Sequence, residues 1–593
     1  MRLKRIFAAL MSFAMLLSMT ACNVTQTDKQ KDTGVPATTQ AGSQTAGASE
    51  KELYRIDVFT MLGNKAGEQT GWFAKIVKDK FNIEMNMIAS NVEGGDTKFA
   101  TMMASGDLGD IVIFGSDSDN KWLDALKANA LFDWTTDGIL DTYGKYIVEN
   151  YSKAIEKNKI SFGNGKSVYG LGHSVANMPE GPSEGEDMVY QSELRWDLYE
   201  KIGMPEIESP EDLLHVLKRM QEIEPTSESG MPTYGFSIWS DWDGNMVMYV
   251  KSFAALFGYD EGDGFNNAGF LLYSPDDGDC QGALDPDGWY IRVLRLFFKA
   301  NQMGLLDPDS ISQKYDDVIR KYQDGAILFS LFPWACNVYN TPERLSQGKG
   351  FRYVPIKGQK IISYGFDERG GNRVISIGAK AEHPERLMEL INWMYTPEGV
   401  MTIYNGPEGL TWEMKNGKPV LTEFGKQALP NNPVDVPEEF GGGTFQDGQN
   451  QMNFETVHRN AINPETNEPY DFRLWSSYLE ENSNPLLDKW REAMGALTTK
   501  DYLMKNNMVS IKKPVYMGKA PDVMPDDLMQ KQGQVATVIK QYSWRMMYAK
   551  DEAEFEQLLS EMTAKAKGLG YDEVLKWNIE HAKEVYEFLK KNN

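Results

Sequence analysis

Cysteine is nearly absent from this chain: three residues in 593. That excludes a disulfide-stapled scaffold and any multi-cysteine zinc or iron–sulfur framework. Histidine is almost as scarce. His173, His215, His383, His458 and His581 are scattered, with no H-E-x-x-H and no short zinc spacing. Positive charge is in deficit, with 61 Lys and Arg against 85 Asp and Glu, a net charge of −24. Nucleic acid is thereby excluded as a partner, because phosphate contact needs a net basic face. Internal repeats are lacking too.

Catalytic signatures fail on inspection. Gly181-Pro182-Ser183-Glu184-Gly185 spells G-x-S-x-G, but it sits among prolines and acids rather than between a strand and a helix. Gly165-Lys166-Ser167 lacks the earlier glycine of a phosphate loop, since Ile160 stands there. The runs starting at Asp117 and Asp241 begin like calcium loops but lack Gly at position six and Glu at twelve. The acidic run Asp260 to Asp287 reads as a solvated hairpin, with a structural calcium as the alternative. With 85 acids, paired carboxylates are inevitable and do not identify a glycosidase. No cofactor or catalytic metal is expected.

What is present starts at the N-terminus. Arg2, Lys4 and Arg5 precede an apolar stretch of 14 residues, Ile6 to Met19. A spanning helix needs roughly 20, so this is the size of a secretory signal core. Met19-Thr20-Ala21-Cys22 follows. Residues 23–50 hold no aromatic side chain and are rich in Thr, Gln, Ser, Gly and Ala, the composition of a flexible tether.

The remainder is ordinary globular composition, 41% apolar and 25% charged over the whole chain. Residues 53–131 read as alternating strands (53–61, 83–88, 110–114) and helices (70–81, 98–104, 122–131), which favours a parallel sheet with right-handed crossovers. Ser209-Pro210-Glu211-Asp212 opens a helix with a Ser cap and Pro at its first position. Residues 234–239, 326–332 and 373–377 read as strands. Residues 289–303, 311–323, 384–395 and 551–590 read as helical, and Asn416-Gly417 marks a hairpin.

Several segments, in this order, resemble the extracellular solute-binding proteins of bacterial ABC importers, family 1, the sugar-type group. Met19-Thr20-Ala21-Cys22 is similar to a lipobox, with Met19 where Leu is usual. Ala104-Ser105-Gly106-Asp107-Leu108-Gly109-Asp110 resembles the family's "SGDLPD" step, with Gly109 in place of Pro. Val168-Tyr169-Gly170-Leu171, Met188-Val189-Tyr190 and Leu194 to Gly203 resemble its crossing strands and "R-x-D-L-x-x-K-x-G" helix. Asp324-Gly325-Ala326 through Trp334-Ala335 is similar to its "G-x-A-A-M…G-x-W" step. Ile375 to Ala379, His383-Pro384-Glu385-Arg386-Leu387 and Thr396-Pro397-Glu398-Gly399 resemble the block "K-x-P-E-x-A, helix, S-x-E-G". Asn405 to Gly409, Trp412 and Asn416-Gly417-Lys418-Pro419 resemble large lipoprotein members from Firmicutes.

The resemblance implies a two-lobed periplasmic-binding-protein-like α/β fold of type II, with two or three crossing segments and a ligand cleft between lobes. Residues 1–21 are then the signal peptide and 22–50 a lipidated Cys22, palmitate-type acyl chains included, plus tether. Residues 51–170 form the first part of lobe I, 171–365 the main part of lobe II, and 366–410 a return into lobe I. Residues 411–593 form a hairpin and helical part shared by both. Cleavage before Cys22 removes three positive charges and takes the net charge from −24 to −27. The implied molecule is a monomeric, membrane-anchored, extracytoplasmic binding protein. It is not an enzyme, and its partners are an oligosaccharide and the ABC permease.

Neutral sugars are held by aromatic faces against C–H surfaces and by fixed polar groups on hydroxyls. Trp239, Asp241, Trp242 and Asp243 form the densest such cluster. For these acids the alternative role is helix capping. Trp334 sits where the family places a stacking Trp. Asp117, Asn64 and Lys65 follow strands whose carboxyl ends border a cleft in open α/β sheets. Tyr364, Asp367 and Arg369 lie in a Gly-rich stretch, and Trp412 and Trp475 complete the set. Two other readings fit these residues: a lipid-anchored carbohydrate-active enzyme (a glycoside hydrolase or lyase), and a peptide-binding protein of the same fold. Cys280 and Cys336 remain as a possible disulfide pair.

Overall fold

A computed structural model describes residues 52–117, 120–176, 178, 181–262, 269–431, 433–516 and 524–592. The signal, lipobox and tether expectations, Cys22 included, lie outside the described residues. Among the described residues no helix is long and apolar enough to cross a membrane.

The first sheet follows directly from the alternation at 53–131. Tyr54–Thr60 pairs in parallel with Ile83–Ala89 on one side and Ile111–Phe114 on the other. The intervening helices are Gly71–Phe81 and Gly95–Ser105. Ile111–Phe114 is buried at all four positions, as a continuous apolar strand covered on both faces must be. Gly371–Ile377 then returns antiparallel to Ile111–Phe114 and also pairs antiparallel with Leu171–His173. The sheet is therefore mixed rather than purely parallel. Its core includes Val58, Phe73, Ile113, Trp134, Leu387 and Trp475, and a satellite under Phe59, Val112 and Trp122 fills the other face.

A second core of Leu194, Trp196, Phe236, Trp239, Phe297, Leu328 and Trp490 is built around a short antiparallel sheet. In that sheet Glu193–Arg195 lies between Phe329–Ser330 and Phe351–Tyr353. The helix Trp289–Gln302 buries Tyr290, Ile291, Val293, Leu294, Leu296, Phe297, Phe298 and Ala300, the broad apolar face its periodicity predicts. Helix Pro210–Ile223 starts as the sequence requires: Ser209 Oγ accepts the Asp212 N–H at 3.1 Å, and Pro210 is its first residue. The expected strand 326–332 shrinks to Phe329–Ser330, because Pro333 opens a helical turn. Residues 234–239 make only single bridges, Tyr234 to Ile327 and Phe236 to Leu306.

Core membership shows three passages of the chain between the two cores. Residues up to Ala176 serve the first core, Met188 to Ile361 the second, Phe366 to Trp475 the first again, and Leu486 onward the second. The expected boundary at 170/171 falls inside the first sheet, since Leu171–His173 is one of its strands. The return segment runs on to Trp475, well past 410. At the second passage Ile361–Tyr364 pairs in parallel with Val509–Lys512.

Cys336 is fully buried and Cys280 half-buried, and no disulfide joins them, so the pairing left open by the sequence is not formed. Three carboxylates of the acidic run meet protein partners. Asp260 holds Lys512 Nζ at 2.7 Å, Asp276 holds Lys360 Nζ at 3.2 Å, and Asp279 accepts from the Tyr259 phenol at 2.8 Å.

Glu193, in the middle strand of the second sheet, is 3% exposed and accepts a bond from Gln191 Nε2. Burial, and secondarily the Asp187 carboxylate, push its carboxyl up to about 8. In the unfolded chain it ionises near 4.5. Between those values the folded state holds a proton that the unfolded state has lost, so stability falls as pH rises. Glu193→Gln removes this dependence. Its denaturant midpoint, relative to the wild type, is therefore expected to be higher at pH 8 than at pH 5. An equal difference at both pH values would contradict the assignment.

Candidate ligand-binding site

Large aromatic residues do not usually stay in water together, yet two tryptophans of this chain do. Trp242 is 48% exposed and Trp334 is 42% exposed. Their ring centroids lie 5.7 Å apart at 36°. Tyr315 stacks on Trp242 at 4.8 Å and 27°, and lies 6.0 Å from Trp334. Phe332 lies 5.0 Å from Trp334. Together they make an aromatic floor in which Trp242 and Trp334 reach solvent, Tyr315 is half-buried and Phe332 is buried.

The elements explain the arrangement. Trp334 is the second residue of the turn Pro333–Cys336, which Pro333 opens past the edge strand Phe329–Ser330, with two residues between. Tyr315 is the first residue of the helix Tyr315–Asp324. Asp241 ties the two loops together, accepting from Lys314 Nζ at 2.6 Å and from the Tyr315 N–H at 3.1 Å. The Lys314 ammonium, with the Tyr315 N–H, holds the Asp241 carboxyl below the usual carboxylate range. Asp243 accepts the Met248 N–H at 2.8 Å and the Trp544 indole N–H at 2.8 Å. Burial raises its carboxyl while those two donors oppose the rise.

Trp239 lies beneath the floor and is fully buried. Its ring meets Trp242 at 5.3 Å, Tyr249 at 5.1 Å and Tyr315 at 5.3 Å, all edge-to-face. Trp239 thus supports the platform and offers no open face. Trp412 and Trp475 lie away from the floor. Both belong to the first core and meet edge-on at 6.1 Å. Their indole N–H groups donate to backbone carbonyls, Gly406 at 3.0 Å and Pro469 at 2.8 Å.

The remaining expected residues fall into three places. Asp117 pairs with Lys157 Nζ at 3.0 Å, and Lys157 also donates to the Gly370 carbonyl at 2.9 Å. Asp367 accepts the Arg369 N–H at 2.8 Å, and burial raises its carboxyl against the opposing pull of that N–H and of Lys157. The Arg369 guanidinium lies 5.4 Å over the Tyr516 ring. Asp117, Asp367 and Arg369 therefore form one polar cluster with Lys157. Asn64 and Lys65 are exposed after the first strand, and Lys65 Nζ lies 3.4 Å from Asp447. The Tyr364 phenol donates to Asp260 at 3.2 Å, inside the passage between cores. Neither Tyr315 nor Lys157 was legible as a site residue. Tyr315 reads as an apolar position of a helix, and Lys157 reads as one lysine among several on Ser152–Phe162.

Known structures share this architecture. No protein-family model and no curated protein sequence matches the chain. An extracellular solute-binding protein from Bifidobacterium longum subsp. infantis aligns at TM-score 0.56 and 13% identity, over 91% of this chain and 100% of its own. The Streptococcus pneumoniae ABC-transporter substrate-binding protein FusA, in complex with kestose, aligns at TM-score 0.52 and 14% identity, over 91% and 100%. The N-glycan transport solute-binding protein NgtS from Streptococcus pneumoniae aligns at TM-score 0.51 and 16% identity, over 90% and 99%. The chain therefore has the two-lobed α/β fold of periplasmic-type solute-binding proteins.

Proposed function

We propose that this protein is the substrate-binding component of an ABC importer, that it captures a neutral oligosaccharide, and that it hands the sugar to a membrane permease without chemical change. The observation that carries the reading is the pair of half-exposed tryptophans, Trp242 and Trp334, fixed beside Tyr315. Aromatic faces that water wets but polar anchors hold in place suit the apolar C–H faces of sugar rings. The fold agrees, since structural neighbours are described as sugar-transport binding proteins, one complexed with kestose and one named for N-glycan transport. Anchoring at Cys22, outside the membrane, belongs to the same reading.

A thermal-shift panel tests it. Neutral oligosaccharides are expected to raise the unfolding temperature, as any ligand of the native state does. Peptides and lipids of similar size are expected to leave it unchanged. Stabilisation by peptides alone would overturn the sugar assignment.

A further inference from the structure

Beside the aromatic floor lies a cavity of about 400 Å³ that draws its walls from both cores. Asn337 and Arg352 come from the second core's segments, and Arg459 and Arg473 from the stretch serving the first. Gly185, Glu186 and Asp187 come from the first passage between them. Asn337 sets the cavity against the floor. It lies three residues after Trp334 at the end of the same helical turn, both are exposed, and residues three apart share a helix face.

Most charges in this cavity are already paired. Arg473 forks onto Asp471, with Nε 2.9 Å from Oδ1. Arg459 pairs with Glu455. Asp187 Oδ1 accepts from Gln191 Nε2 at 3.0 Å and from Thr499 Oγ1 at 3.1 Å. Two groups are left over among the described residues. The Glu186 carboxyl makes no side-chain hydrogen bond or ion pair. The Arg352 guanidinium lines the cavity and lies 4.7 Å over the Trp490 ring without a hydrogen bond or ion pair among the described residues, its Nε buried and its terminal nitrogens left as donors. The three arginines of the wall are matched by three acids, Glu186, Asp187 and Asp471, so the cavity as a whole favours neither sign of ligand. Among the described residues Leu474 is its only aliphatic lining residue. A vacant acceptor and a vacant donor in a charge-balanced polar cavity suit a neutral guest rich in hydroxyls.

We propose that this cavity is a sugar subsite: it takes one hydroxyl-bearing unit next to the ring stacked on Trp334, with Glu186 accepting from one hydroxyl and Arg352 donating to another. The inference rests on the reading that the ligand is an oligosaccharide, and it adds where the chain continues beyond the tryptophans.

Glu186 supplies the readout. Burial, with Asp187 beside it, pushes its carboxyl up to about 7. The other groups acting on it are Arg352, Arg473, Arg491 and Lys500, with the Tyr478 phenol. A hydroxyl donating to the carboxylate favours the ionised form and lowers that value. Binding at pH 7 then releases about half a proton, and affinity rises about tenfold from pH 6 to pH 8. Lobe closure without contact at Glu186 would bury it further and take a proton up instead.

The test is calorimetric titration at pH 7 in phosphate and in Tris, whose ionisation enthalpies differ. The probes are neutral tri- to pentasaccharides of gluco, fructo, manno and galacto type, kestose included. Proton release by the wild type, lost in Glu186→Gln while binding persists, is the expected result. Binding with no proton release, or with uptake, overturns the subsite and leaves the proposed function standing. The sign in the wild type decides the matter even if the variant fails to fold. No binding heat with any probe overturns the proposed function itself, and the subsite with it.

Discussion

Replacing Trp242 and Trp334 together by alanine is expected to weaken oligosaccharide binding roughly 100-fold while leaving the fold intact. Both rings are partly exposed, and aromatic anchors that a ligand buries commonly cost about 2 kcal/mol or more when truncated. About 1.4 kcal/mol for each ring is tenfold in affinity. The two rings touch, so their effects couple, and the single variants fix the size of the coupling. Stability should change little, because both side chains are more than two-fifths exposed and removing them opens no large cavity. Calorimetry on the double variant, with its denaturant midpoint measured alongside, checks both halves. Unchanged affinity would show that the floor is not where sugar binds.

Trp239→Ala should behave in the opposite way. The ring is fully buried and meets Trp242, Tyr249, Tyr315, Phe332 and Trp334. Its indole N–H has no hydrogen-bond partner among the described residues, so packing alone holds it. Truncating a buried Trp to Ala costs about 3–5 kcal/mol. Denaturant unfolding of the variant should show that loss, and binding should weaken as well because the platform loses its support. A stable Trp239→Ala that still binds would mean that the floor does not depend on this ring.

The contrast between these tryptophans shows what the sequence could and could not tell. The alternation of strand and helix at 53–131 is local, so the three strands that pair in parallel were readable from the apolar pattern alone. Ser209 capping Pro210–Ile223 and the Asn416-Gly417 turn of the hairpin were local as well. At that turn Asn416 and Gly417 have φ of 54° and 79°, the left-handed pair such a hairpin needs. The cluster at 239–243 was legible as a candidate site, but not which of its residues are exposed and which are buried. Asp243 binds Trp544, 301 residues away, and Trp239 is covered by Tyr315, Phe332 and Trp334. Trp412 and Trp475 find their place through each other and through the carbonyls of Gly406 and Pro469. Which Trp keeps an open face depends on such distant partners, and nothing in the neighbouring residues encodes it. The cavity at Glu186 is the extreme case, since its walls come from five separate stretches of the chain.

The most direct test of the account is a calorimetric titration of the wild-type protein with the neutral oligosaccharide that stabilises it most in the thermal-shift panel, followed by analysis of the recovered sugar. The account predicts saturable binding of one oligosaccharide per chain and recovery of that sugar unchanged. Absence of binding across the neutral panel, or recovery of shorter products, would contradict it.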